Sequence, residues 1–372
     1  MTTSPTTPSP APVLTTGPGQ WAASRARVAD QLDNTLVLAF VGLASCGKDS
    51  AIQALFGVDL GNKDPLPGST SAVQAFPLDA SGRVFVVNAP GFGDLREAVT
   101  QDTAAVLSKV DLAVYIVNAD GGATRDVLRT LQEMRDGGRP VLVCVNKIDL
   151  IQPSEREQYL TATLEQLGVP RSDAIATAFD PLPALAEAPI GTDDVARWIG
   201  QTLAKDGKAM LFAKHIRNRA VACEPLIRKG MKLAAAAGAL PVPGVDTTAI
   251  TVIQMHMISE IAAVFEVEIT EDVAMFILGE MLAGAGRGFT KWAVAALKAA
   301  GWVPGGQIGT ALSMSLGASI ASASTYGVGH ATIAYMTRVK RGEPSPHSNL
   351  LELYDRFALS WRDAESPAED GS

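Results

Sequence analysis

"VGLASCGKDSAIQALFG", residues 41–57, follows the apolar run "LVLAF" and decides the fold. Gly42, Gly47 and Lys48 form the spacing Gly, four residues, Gly-Lys. Between an apolar strand and a helix, such a loop gathers backbone N–H groups around phosphates, and the helix N-terminus adds partial positive charge. The Lys48 ammonium would add a full charge against the terminal phosphates. Ser45, Cys46 and Ser50 share this loop. Where the pattern carries a Ser or Thr hydroxyl as magnesium ligand, this chain has Asp49.

Further along, "VCVNKIDL" ends an apolar run with Asn146, Lys147 and Asp149. A carboxylate there can accept two hydrogen bonds from N1–H and the exocyclic amine of guanine. Adenine offers no such pair of donors, and a buried carboxylate left unpaired is costly. The stem of Lys147 can cover a ring face. Between the two motifs, "VFVVNAPGFGD" ends a strand in a Pro-Gly turn at Asn88 to Gly91, and upstream "PLPGSTSAV" offers Thr70 in a loop. After the sixth candidate strand, "IATAF" offers Thr177 and Ala178, whose backbone could close over a base. All five features fall at the carboxyl ends of candidate strands, where open α/β sheets bind ligands.

The candidate strands are "LVLAFVG", "AVQAFPL", "RVFVVN", "LAVYIVN", "VLVCVN" and "AIATAF", alternating with helical stretches such as "DVLRTLQEMRDGG". That rhythm predicts a mostly parallel sheet with helices on both faces. With its motifs in this order, residues 35–204 resemble the Era and TrmE-like branch of the translation-factor class of P-loop GTPases. The resemblance implies GTP and GDP as ligands, magnesium as cofactor, and Lys48, Thr70 and Gly91 around the terminal phosphate. It also shows departures. The family has Ser or Thr at the position of Asp49 and Asp at that of Asn88, and both family positions serve magnesium. One carboxylate has appeared and another has gone, so the charge near the ion is unchanged. Asp49, Thr70 and Asn88 are therefore the expected metal-side residues, in a transposed site where Asp49 supplies the ligand oxygen; a degraded, nucleotide-free site is the alternative. Where a Gln often orients the attacking water, this chain has Phe92, which cannot hydrogen-bond water. Slow or partner-stimulated hydrolysis is expected, with a homodimer or another protein as the stimulating partner. Ser45 replaces the loop Asn that holds potassium in TrmE-like members. Cys46 reads as a small loop residue, with a redox role as the alternative because N–H groups and Lys48 could lower its pKa when nucleotide is absent.

Near residue 205 the alternation stops and an Ala-rich helical pattern begins. Residues 205–232 hold eight Lys or Arg, read as a solvated face or a contact for anionic lipid. From Ala299 to Thr337 no Asp, Glu, Lys or Arg occurs, but Pro304, Gly305 and Gly306 interrupt the run. Gly309, Ser313, Gly317 and Ala321 then form a small-residue stripe beside Ile308, Leu312, Leu316 and Ile320. Such stripes let helices approach closely, and a buried central helix is expected, with membrane insertion as the alternative. "ALPVPGVDTTAITVIQMHMISEIAAVFEVEI" and the Gly/Ala-rich stretch at 305–336 resemble the helical domain of YcjF-type proteins. "NLLELYDRFALSW" places Leu350, Leu351, Tyr354, Phe357, Ala358 and Trp361 on one helical face.

The expected organisation is a disordered arm at 1–20, an α/β P-loop GTPase domain with a leading helix at 21–204 and an α-helical domain at 205–345. An amphipathic helix at 346–364 and an acidic tail at 365–372 follow. At 372 residues, 47% hydrophobic, the chain is long enough for two cores. A net charge of −8 argues against a DNA or RNA partner. Three scattered cysteines suggest a reducing, cytoplasmic setting. The sequence thus reads as a guanine-nucleotide switch controlling a helical effector domain, against a non-hydrolysing scaffold or a GTPase in peripheral membrane contact.

Overall fold

β1 (Leu36–Val41) is buried along its whole length, as a strand covered on both faces must be. It lies at the centre of a six-stranded sheet with β2 (Gln74–Pro77), β3 (Val84–Ala89), β4 (Leu112–Asn118), β5 (Val141–Asn146) and β6 (Ala174–Ala176). The computed structural model describes residues 19–59, 74–89, 109–239, 245–283 and 310–365. Thr70, Gly91 and Phe92 lie outside the described residues, as do the arm at 1–18, the Pro304 interruption and Gly309.

The order is β2-β3-β1-β4-β5-β6, parallel except for β2, which runs antiparallel to β3. All six expected strands are present. The chain passes from β1 to β2 and β3 on one side of it and then crosses to β4 on the other, which opens a crevice at the carboxyl end of β1. The core joins Val37, Val41, Tyr115 and Val143 to Leu131 and Leu164 of the covering helices. Each such side chain contributes about 1.5–3 kcal/mol on burial.

Gly47, at φ 97°, begins α2 (Lys48–Phe56), and Gly57, at φ 72°, ends it. Neither backbone angle suits a residue with a Cβ. In α3 (Arg125–Asp136), Val127, Thr130, Leu131 and Met134 supply the buried stripe, and the Thr124 side chain caps the helix by accepting from the Val127 N–H. α4 (Arg156–Leu167) and α5 (Thr192–Leu203) cover the remaining strands.

The chain forms two compact units, one from Asp30 to Pro225 and the other from the residues through Ala29 together with those from Leu226 onward. The division lies later than the expected boundary after 204. α6 (Ala209–His215) and α7 (Arg219–Ala222) belong to the first unit because an aromatic chain ties them there. Phe212 stands edge-on to Phe56, and Phe56 to Phe40, each pair with centroids 6.1 Å apart. The Arg217 N–H donates to Leu55 O at 2.7 Å, and Lys208 Nζ meets Asp111 Oδ1 at 2.6 Å. Part of the expected basic face is therefore tied into the fold.

The second unit contains most of α1 (Gln20–Leu32) with α8 (Glu224–Gly238), α9 (Val245–Val264), α10 (Glu271–Ala283), α11 (Thr310–Lys340) and α12 (Leu350–Glu365). α12 docks through Leu350, Tyr354, Ala358 and Trp361, all buried, as its periodicity predicts. Glycines permit the close approaches. A Cβ on Gly327 would stand 2.8 Å from the Tyr354 ring and 2.9 Å from Ala358 Cβ, and one on Gly317 would stand 2.2 Å from Gly238 O. α11 buries Ala321, Ala323, Val328, Ala331 and Met336. Among the described residues, no helix is long and apolar enough to cross a membrane.

Candidate functional site

The loop between β1 and α2 closes tightly. A Cβ on Gly42 would come within 2.4 Å of Ile116 O and 2.6 Å of Cys46 Sγ, and one on Gly47 within 2.3 Å of Asn146 Nδ2. Both positions therefore require glycine, and Ser45 also adopts a positive φ of 61°. Lys48 is buried, and its ammonium donates to Gly42 O at 2.9 Å and Leu43 O at 3.0 Å. Its charge thus stands over the loop, on the side from which phosphates would approach the N-terminus of α2. Ser50, next to Asp49 in the first turn, is half-buried.

Asn146 joins this loop to the other motifs. Its Nδ2 donates to Cys46 O at 2.9 Å, and its Oδ1 accepts from Thr177 Oγ1 and from the Phe179 N–H, both at 3.2 Å. A single carboxamide at the end of β5 thereby fixes the phosphate loop and the "TAF" loop together. Lys147 follows at φ 65° and starts the tight turn Ile148–Leu150, which carries Asp149. Asp149 is buried, and its Oδ2 accepts from the Leu182 N–H at 3.1 Å.

The Thr177–Ala178 backbone, expected beside a base, is hydrogen-bonded within the fold. The Thr177 N–H donates to Val145 O at 2.8 Å, and the Ala178 N–H to Ile190 O at 3.0 Å. These donors are committed to the fold, so the loop's visible role is to position Asn146. Residues 180–191 were not singled out from the sequence, yet they support the site through Leu182, Ile190 and Gly191. Gly191, at φ 73°, would place a Cβ only 2.3 Å from Ala176 O. The glycine before the acidic helix start "TDD" is the signal that could have marked this segment.

On the side where a metal is expected, Asn88 ends β3 fully buried, and its Nδ2 donates to Asp49 Oδ1 at 2.5 Å. The two departures from the family pattern are therefore in direct contact. Among the described residues, Asn88 Oδ1 is buried and has no hydrogen-bond partner. A carboxylate and a carboxamide oxygen are hard donors of the kind magnesium takes, directly or through the waters it retains. The residues present fit that ion.

Cys46 sits buried in this loop. Burial is the dominant influence and pushes its thiol pKa up, outweighing the opposing effect of Lys48. It is a packing residue of the loop, touching the space beside Gly42, and its thiol is not activated.

Comparison with known proteins agrees with the geometry. Residues 37–147 match the family model described as 50S ribosome-binding GTPase, and residues 204–357 match a domain of unknown function, DUF697. Translation initiation factor IF-2 of Rhodopirellula baltica is 32% identical over 115 residues, which are 31% of this chain and 11% of that protein. GTPase Der of Bifidobacterium longum is 27% identical over 138 residues, 36% of this chain and 29% of that protein. The chain thus spans only a minor part of the length of these curated relatives. Among solved structures, Era of Aquifex aeolicus bound to GDP.AlF4- is 16% identical with a TM-score of 0.31, covering 48% of this chain and 67% of that one. The bacterial selenocysteine-specific elongation factor EF-Sec is 17% identical with a TM-score of 0.32, covering 46% and 29%. With its phosphate loop, its Asn-Lys-x-Asp turn and these family matches, the chain carries a P-loop GTPase domain, matched over residues 37–147, followed by a DUF697 domain at 204–357.

Proposed function

We propose that the chain is a slow guanine-nucleotide switch that binds GTP and GDP with magnesium and acts through its helical domain. The observation that carries this reading is the triple attachment of Asn146, which holds the phosphate loop and the Asp149 turn in one frame. In it, the loop N–H groups and Lys48 bind phosphates. Asp149, oriented by Leu182, recognises the guanine edge, and Lys147 covers the ring. Asp49 and Asn88 would hold magnesium, which supplies charge neutralisation at the phosphates. Thr70 and Gly91, by family position, complete the surroundings of the terminal phosphate.

Phe92 cannot orient the attacking water, so hydrolysis by the isolated chain is slow and rises when a second copy or a protein partner completes the site. The segments holding Thr70 and Phe92 respond to the terminal phosphate and pass its presence to the helical domain. A nucleic-acid partner forms no part of the proposal, given the net charge of −8. Phosphate release under multiple turnover tests the rate. The isolated chain should turn over at roughly 10⁻⁴–10⁻² s⁻¹, the range of unassisted GTPases. A rate of about 1 s⁻¹ or more without added factors, typical of ordinary enzymes, would contradict the proposal.

A further inference from the structure

We infer that Asp49 and Asn88 act as one coupled unit that makes nucleotide binding depend on magnesium. This deepens the guanine-nucleotide reading and rests on it. Asp49 lies in the first turn of α2, next to Lys48, whose ammonium stands over the phosphate loop. Without a cation, a carboxylate there repels the phosphates, and the low dielectric of a half-buried position strengthens that repulsion. With magnesium between them, the same carboxylate becomes a ligand and the repulsion turns into attraction.

Asn88 makes this arrangement possible. A carboxylate can only accept hydrogen bonds, so the carboxamide must turn its Nδ2 to Asp49 Oδ1, and this chemistry settles the amide's orientation. Its Oδ1 is then left buried without a partner among the described residues, a state that costs about 1–3 kcal/mol if permanent. A water carried by magnesium would satisfy it, since the ion retains several waters in such sites. An Asp at 88 beside Asp49 would instead put two carboxylates in contact, a like-charge pair in which one cannot remain ionised cheaply. An acid at 88 is therefore disfavoured once position 49 is an acid, and the amide present donates to it.

The test is a charge-swap cycle read as nucleotide affinity. Fluorescent mant-GDP is titrated into the full chain in magnesium and in EDTA, for wild type, Asp49→Asn, Asn88→Asp and the double variant, with thermal melts confirming that each is folded. The readout is the ratio of the two dissociation constants. Asp49→Asn should lower that ratio at least about tenfold, mainly by tighter binding in EDTA. The swap restores one acid and one amide in contact, so the double variant should return to within about threefold of wild type, far from the product of the single effects. An unchanged ratio in Asp49→Asn, or strict additivity in the double variant, overturns the inference while leaving guanine binding intact. Nucleotide binding by Asp49→Asn but not by wild type in magnesium also overturns it, making Asp49 an excluding residue. If no variant binds guanine nucleotide in either condition, the guanine reading itself fails.

Discussion

Replacing Asn146 by alanine would leave Cys46 O and the Thr177 hydroxyl without their partner in a buried setting, and would release the Phe179 N–H. Such a loss costs about 1–3 kcal/mol, so urea unfolding of Asn146→Ala should show a drop of that size with little change in slope. Nucleotide affinity should fall with it, because both loops lose their common support. A change below about 0.5 kcal/mol, the scale of an ordinary surface substitution, would show that Asn146 is not the support described. Gly47→Ala tests the same contact from the other side, since its Cβ would meet Asn146 Nδ2 at 2.3 Å and its φ of 97° is strained for alanine. It should weaken mant-GDP binding at least about tenfold, a change of 1.4 kcal/mol, whereas unaltered binding would contradict the tight loop. At this scale the sequence is informative where a motif is local. Gly42, Gly47, Lys48 and the Asn-Lys-x-Asp turn are readable by spacing. The bond from Asn146 to Cys46 spans 100 residues and follows only from the parallel order of β1, β4 and β5. The contact between Asp49 and Asn88 is legible only as two departures that preserve charge. Cys46 shows the converse, because burial outweighs the nearby lysine and burial depth is not written in the loop's composition.

Helix elements of the second unit depend on small residues at crossing points. In Gly327→Val the side chain would press on Tyr354 and Ala358, and overpacking of this kind costs about 1–3 kcal/mol. Thermal unfolding should show a lowered Tm, and a Tm equal to wild type would mean that α11 and α12 do not pack as described. The pair α8 and α9 carries a buried acid. Burial alone would raise the pKa of Glu260, but the hydrogen bond from His256 and the charge of Lys229 more than offset this and hold it below the ordinary 4.5. A carboxyl with a depressed folded pKa contributes stability above its unfolded pKa and loses it as pH falls through the folded value. Stability should therefore fall more steeply below pH 4.5 in wild type than in Glu260→Gln, as followed by helical circular dichroism. Equal acid limbs would remove Glu260 from the account. Strands were legible because buried parallel strands read as short apolar runs between turns. The division of the compact units at Pro225 was not, because the Ala-rich helical composition, like the DUF697 match from residue 204, begins before the packing changes. Phe212 and Lys208 look like part of the later helices in sequence, yet they are held by Phe56 and Asp111 of the sheet-bearing unit.

At the scale of the whole chain, each unit has its own buried core, and the first carries the nucleotide motifs. The Gly/Ala-rich helix at 310–340 is explained by close packing against α8 and α12 within its own unit. Its uncharged sequence is buried from Ala321 onward, at Ala321, Ala323, Val328, Ala331 and Met336, whereas Ser315 is exposed and residues 316–320 are half-buried. The central claim is that the strand-end site selects guanine nucleotide through Asp149. It is tested most directly by titrating mant-GDP and mant-ADP in magnesium into wild type and Asp149→Ala. The account predicts that wild type prefers GDP over ADP by at least about a hundredfold, as expected when a buried acceptor must be paired, and that Asp149→Ala abolishes the preference. Equal affinity for the two nucleotides in wild type, or a preference that survives in Asp149→Ala, would contradict it.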